Sequence, residues 1–74
     1  MTYSYETKVG TFFIVSKQGR FHVRFDDDDL GNYVTAQQAA EDVAGGHTFS
    51  PSCGVDTSKL GIPDNLSEWD QQNG

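Results

Sequence analysis

Disulfides, membrane spans and an excess of positive charge are all missing from this chain. Its 74 residues hold one cysteine, Cys53, so no intramolecular bridge can reinforce the fold, and a reducing setting is expected. No apolar run approaches the ~20 residues that a helix needs to cross a bilayer. Met1-Thr2-Tyr3-Ser4-Tyr5-Glu6 shows neither the basic nor the apolar region of a secretory leader. These absences lead to the expectation of a cytoplasmic protein with no membrane partner, and a bacterial or phage-type cytosol is the expected setting. Basic residues are scarce: five Lys and Arg stand against eleven Asp and Glu, for a net charge of −6. Such a balance steers a chain away from nucleic acid and toward basic partners, or keeps it soluble. A chain this short buries only about 60% of its unfolded surface, which limits its stability.

The charge is unevenly placed. Residues 1–24 carry Lys8, Lys17, Arg20 and Arg24 against Glu6, whereas residues 25–74 carry ten carboxylates against Lys59 alone. Within the basic part, Arg20-Phe21-His22-Val23-Arg24-Phe25 alternates cationic or titratable residues with apolar ones. A period of two puts Phe21, Val23 and Phe25 on one face of a strand and Arg20, His22 and Arg24 on the other. Residues 11–16 are rich in aromatic and β-branched types and form the strand before it. Gln18-Gly19 between them predicts a two-residue hairpin loop, since Gly tolerates the positive φ such loops require. That loop sets Ser16 opposite Phe21, Ile14 opposite Val23 and Phe12 opposite Phe25, and leaves Phe13 and Val15 among the cationic side chains.

Further along, Asp26, Asp27, Asp28 and Asp29 read as a polar loop, and Leu30-Gly31-Asn32-Tyr33-Val34 as a short third strand. Residues 2–8, with alternating Tyr3 and Tyr5, make a short edge strand or a loose arm. A helix is predicted over residues 35–44. Thr35 is its N-cap, Gln38 completes a capping box, Val34 and Ala39 form a staple, and Gly45-Gly46 ends it. Its inner stripe, Ala36, Ala39, Ala40 and Val43, is small enough to lie close on Phe12, Phe21 and Phe25. Residues 47–74 show little regular pattern beyond one helical turn at Asp64-Asn65-Leu66-Ser67-Glu68-Trp69. Their scattered Phe49, Val55, Leu60, Ile62, Leu66 and Trp69 suit a segment that covers something, and the sheet face bearing Phe13 and Val15 is the expected target.

The predicted fold is α+β: a three-stranded antiparallel sheet packed by one helix (β-β-β-α), with an irregular C-terminal extension. Residues 1–74 form one small domain with its core in 10–46 and a covering segment in 47–74.

Three groups of residues bear on chemistry. The four aspartates resemble the start of a calcium loop, with Asp26, Asp28 and Gly31 in place, but Leu30 and Gln37 occupy positions where oxygen ligands are needed. No metal site is expected. Cys53, His47 and His22 are too few for a structural zinc site, and the domain is small for a substrate pocket. No catalytic residue and no cofactor are assigned, and an enzyme is not expected. Arg20, His22 and Arg24, flanked by Phe13 and Val15, suit phosphate contact with apolar packing alongside. On an acidic chain, however, an ordinary solvent face with weak ion pairs is the favoured explanation of the three.

Gly19-Arg20-Phe21, Leu30-Gly31-Asn32-Tyr33 and Thr35-Ala36-Gln37-Gln38-Ala39-Ala40 follow one another in strand, strand and helix. In this they resemble the DNA-binding domain of plant ethylene-response factors and of phage integrase arm-binding domains. That resemblance implies a three-stranded sheet entering the major groove, with Arg20 and Arg24 as contacts. The same strand order, the acidic balance and Asp28-Asp29-Leu30-Gly31 also resemble HicB-like antitoxins, which implies a basic protein partner. The sequence therefore favours a non-enzymatic interaction module that binds an unidentified protein, through Asp26, Asp27, Asp28 and Asp29 or through a sheet edge. A homodimer across that edge is also open. The alternative is nucleic-acid binding through Arg20, His22 and Arg24, against which the net charge weighs.

Overall fold

The alternation in residues 20–25 becomes a central strand of a wider sheet than the sequence predicted. The computed structural model describes residues 2–25, 28–48, 54 and 56–72. Asp26, Asp27, Phe49, Cys53 and Val55, all singled out above, lie outside the described residues. Strands β1 (Thr2–Thr7), β2 (Gly10–Lys17), β3 (Arg20–Phe25), β4 (Asp28–Tyr33) and β5 (Asp70–Gln72) and one helix, α1 (Ala36–Gly45), follow in chain order, with two 3₁₀ turns, Thr57–Lys59 and Leu66–Glu68, before β5. The strands form one antiparallel sheet in the order β4-β3-β2-β1-β5. The fold is α+β as expected, but the sheet has five strands rather than three.

The two additional strands are the first and last segments. β1 is an interior strand, with Tyr3 opposite Ile14 and Tyr5 opposite Phe12. β5 reads Asp-Gln-Gln and has no strand propensity of its own. It pairs with the outer edge of β1, where unpaired backbone groups offer a template for another strand.

The β2–β3 hairpin follows the predicted register, Phe12 to Phe25, Ile14 to Val23 and Ser16 to Phe21. Its loop residues Gln18 and Gly19 have φ of 53° and 77°, both positive, as a type I′ turn requires. Phe12 and Phe25 stack with ring centroids 4.4 Å apart.

β4 corrects the reading of the aspartates. Asp28 and Asp29 belong to the strand rather than to a solvated loop. Val23 pairs with Gly31 and Arg24 with Asp29, so Leu30 bulges out of the ladder between them. The extra residue turns Leu30 into the core, where it is 1% exposed.

Helix α1 starts where Thr35 Oγ1 accepts from the Gln38 amide at 3.1 Å. It ends at Gly46, in a left-handed conformation (φ 77°), with the Gly46 and His47 amides donating to Val43 and Asp42 carbonyls. That pairing is a Schellman closure. Ala36, Ala39, Ala40 and Val43 are buried as predicted. Val34, by contrast, is 65% exposed and does not staple onto Ala39.

The described part of the C-terminal segment, residues 56–72, packs its apolar side chains on the same face as the helix, not across the other one. Ile62 and Trp69 join Phe12, Ile14, Val23, Phe25 and Leu30 in the core, with Leu60, Leu66, Tyr3 and Tyr5 packed around them. Trp69 meets Tyr5 with ring centroids at 5.8 Å, and its indole N–H donates to the Pro63 carbonyl at 2.9 Å. Gln37 ties this segment to the helix: its Nε2 donates to Asp64 O at 2.8 Å and its Oε1 accepts from Leu66 N at 3.1 Å. The reason is area. A narrow alanine stripe covers β2 to β4, and the Tyr3/Tyr5 side of a five-stranded sheet needs its own apolar cover.

Candidate functional site

Among the described residues, helix and tail lie on one face and no other element packs against the opposite face, where Ser4 is buried and Phe13 and Val15 are half-buried. Strand alternation and the observed registers put Ser4 and Glu6 of β1, Phe13, Val15 and Lys17 of β2, Arg20, His22 and Arg24 of β3, and Asp29 and Asn32 of β4 on it. Phe13 and Val15 are half-buried and sit in the middle. The three side chains singled out in the sequence, Arg20, His22 and Arg24, are thus brought into one row.

The row is organised by its neighbours. Arg20 Nε donates to Asn32 Oδ1 at 2.8 Å, an arrangement that fixes the guanidinium over β4. His22 Nδ1 lies 3.0 Å from Asp29 Oδ2. The other oxygen of Asp29 accepts from the Gly31 amide at 3.1 Å, so this carboxylate both braces the bulge and orients the imidazole. Val15, Lys17, Gln18, His22, Arg24 and Asp29 line an open groove of about 150 Å³ at the hairpin-loop end of the face. Three of those six residues are cationic or can become so. Lys17 and Gln18 were read in the sequence only as a basic residue and a turn residue, not as candidate site residues. Their signal was present, because a two-residue loop sets Lys17 directly opposite Arg20.

Asp28 and Asp29 do not share one face of the sheet. Asp29 stands among the cations, and Asp28, opposite Phe25, belongs to the helix-side face. Asp26 and Asp27 lie outside the described residues. Among the described residues, no cluster of three His, Cys, Asp or Glu is arranged to hold a metal ion. His22 and His47 do not converge: the first is on the face opposite the helix, and the second follows the C-cap of α1 on the other side of the sheet. Cys53 is outside the described residues. No helix among them is long and apolar enough to cross a membrane.

Two shifted groups lie away from this face and serve the fold. Burial, then the Asp42 carboxylate to which its hydroxyl donates, pushes Tyr33 up to about 12, so the phenol stays neutral and joins β4 to the helix. Hydrogen bonds from the Ser58 hydroxyl and amide hold Asp56 below the usual carboxylate range, where it caps the first 3₁₀ turn.

No protein-family model, no curated protein and no solved structure matches this chain. A functional reading has to come from the site itself.

Proposed function

We propose that the chain is a non-enzymatic interaction module that binds a protein partner through the face of its sheet opposite the helix. One observation carries this reading: the helix and the described part of the tail pack on the same face, and Phe13 and Val15 are only half-buried amid Lys17, Arg20, His22 and Arg24. An apolar centre with a polar, charged rim is how protein-binding surfaces are built, and arginine is enriched in them. The cationic rim favours a partner segment that carries acidic groups beside apolar ones. The acidic remainder of the molecule, at −6 overall, disfavours indiscriminate binding to polyanions. The outer edge of β4 is a poorer surface for a second copy, because the bulge and the charges of Asp28 and Asp29 oppose flat edge pairing.

A photo-crosslinking residue placed at Val15, and in a second protein at Gln38 on the exposed side of α1, tests this reading in cells. Adducts to a discrete protein from position 15 and none from position 38 are expected. Adducts only from position 38 would move the contact to the helix and sink the reading.

The row Arg20, His22 and Arg24 beside Phe13 also supports the second reading, a nucleic-acid contact, in keeping with the resemblance to three-stranded DNA-binding domains. That reading requires an affinity for oligonucleotides that falls steeply with salt and that Arg20→Ala and Arg24→Ala abolish.

A further inference from the structure

The groove at the hairpin end is chemically more specific than the face around it. We propose that it binds the phosphomonoester of a phosphorylated side chain on the partner, an inference that rests on the protein-interaction reading and names its ligand chemistry.

Size is the first argument. About 150 Å³ is too little for a nucleotide or a drug-sized molecule, and is suited to a single small group presented at the tip of something larger. The second argument is the number and arrangement of donors. The Lys17 ammonium, the Arg24 guanidinium, the Gln18 amide and the His22 ring all line this one groove. A phosphomonoester carries close to two charges at neutral pH and offers three strong acceptor oxygens, which matches several convergent donors better than a carboxylate does. Lysine supplies a point charge and arginine a planar fork, the two recognised modes of phosphate contact.

Asp29 also lines the groove, and a bare carboxylate there would repel an anion. Its two oxygens are already engaged, one by the Gly31 amide and one by His22 Nδ1. Those bonds occupy the carboxylate, and with Nδ1 turned to Asp29, Nε2 is the ring nitrogen left for a ligand, a donor to phosphate in the imidazolium form. Gln18 adds an independent observation. It is the one non-glycine residue with positive φ among the described residues, at a turn position that Asn, Asp or Gly normally fills. A strained residue that keeps a polar side chain at the lip of a groove points to use of that side chain.

The test is an amide and side-chain chemical-shift titration of the full chain at constant ionic strength. The probes are a phosphoserine peptide, its unphosphorylated form, inorganic phosphate and a thymidylate oligonucleotide. Saturable shifts at Lys17, Gln18, His22 and Arg24 with the phosphopeptide alone, or with much weaker inorganic phosphate, are expected. Lys17→Gln and Arg24→Gln should each weaken phosphopeptide binding roughly tenfold or more. Lys59→Gln, in the first 3₁₀ turn and away from the groove, should leave it unchanged. Unaltered dispersion elsewhere in the spectrum shows that each variant is folded.

Equal affinity for phosphorylated and unphosphorylated peptide overturns the proposal, and equal affinity for inorganic phosphate overturns the side-chain source. Tighter oligonucleotide binding with shifts spreading over Phe13 and Arg20 overturns it in favour of nucleic acid. Crosslinks from position 15 that persist in Lys17→Gln and Arg24→Gln, with no phosphopeptide binding, would defeat the groove and leave the interaction module standing. Phosphopeptide binding without such crosslinks would show the reverse.

Discussion

Gln18 holds a left-handed backbone (φ 53°) in a two-residue turn. For an ordinary L-residue that conformation costs roughly 1–2 kcal/mol, a cost that Asn lowers through its short polar side chain. Gln18→Asn is therefore expected to raise the urea midpoint, by up to about 1 kcal/mol in stability. An unchanged midpoint would show that the turn stores no strain. Tyr33 makes a different kind of statement. Its folded-state value, raised from 10.0 to about 12, means that the native state favours the neutral phenol. The corresponding stability is whole below pH 10.0 and is lost as pH rises toward about 12. Ultraviolet titration should show one tyrosinate step displaced to that range, absent in Tyr33→Phe, and the variant should lose less stability than the parent over the same interval. A single common step for all tyrosines would contradict the Tyr33–Asp42 bond.

Two elements depend on one residue each. The bulge in β4 exists because Leu30 has no opposite number in β3, and its side chain fills the core in consequence. Leu30→Ala should cost about 2–5 kcal/mol in chemical denaturation, as large-to-small changes at full burial do. A loss of only a few tenths would mean that the bulge is not packed as described. The end of α1 depends on Gly46. A Cβ at that position would lie 3.0 Å from Ser58 Cβ on a backbone with φ 77°. Gly46→Ala is expected to cost about 1–3 kcal/mol and to loosen the first 3₁₀ turn from the helix. Amide exchange should then accelerate at Ser58 and Lys59 more than in β2. Much of this was legible beforehand: Thr35, the alanine stripe and the glycine stop are local signals, read from spacing alone. The bulge was not legible, because nothing in Asp-Asp-Leu-Gly says which residue its neighbour strand will leave unpaired.

In the whole molecule, the C-terminal residues Ile62 and Trp69 are part of the core, not an appendage. Trp69 is 4% exposed, rests on Tyr5 and is held to Pro63. Unfolding followed by Trp69 fluorescence and by far-ultraviolet circular dichroism should therefore coincide in a single transition. Fluorescence that changes first would mean that the segment opens by itself. Trp69→Ala should cost about 3–5 kcal/mol, comparable with the entire stability expected of a domain this small. The candidate site is a product of the same arrangement. Arg20, His22 and Arg24 could be placed on one face from their alternation, but that Ile62 and Trp69 pack on the other face depended on which side the tail would choose. Asp29 joined them through β4, and Asp28 was separated from it by the pleat.

Periodicity and turn chemistry by themselves determined the β2–β3 hairpin, its register, its buried Phe12, Ile14, Val23 and Phe25, and the capped helix that covers them. Those features come from interactions between residues close in sequence, so the pattern carries them. Only the tertiary structure decided that β1 is interior, that Asp70-Gln71-Gln72 is a strand, that Leu30 is core, and that Ile62 and Trp69 join the helix side of the sheet. Each depends on a partner far along the chain: the hydrogen-bonding edge of β1 recruits β5, and the uncovered tyrosines beside a narrow alanine stripe recruit Ile62 and Trp69.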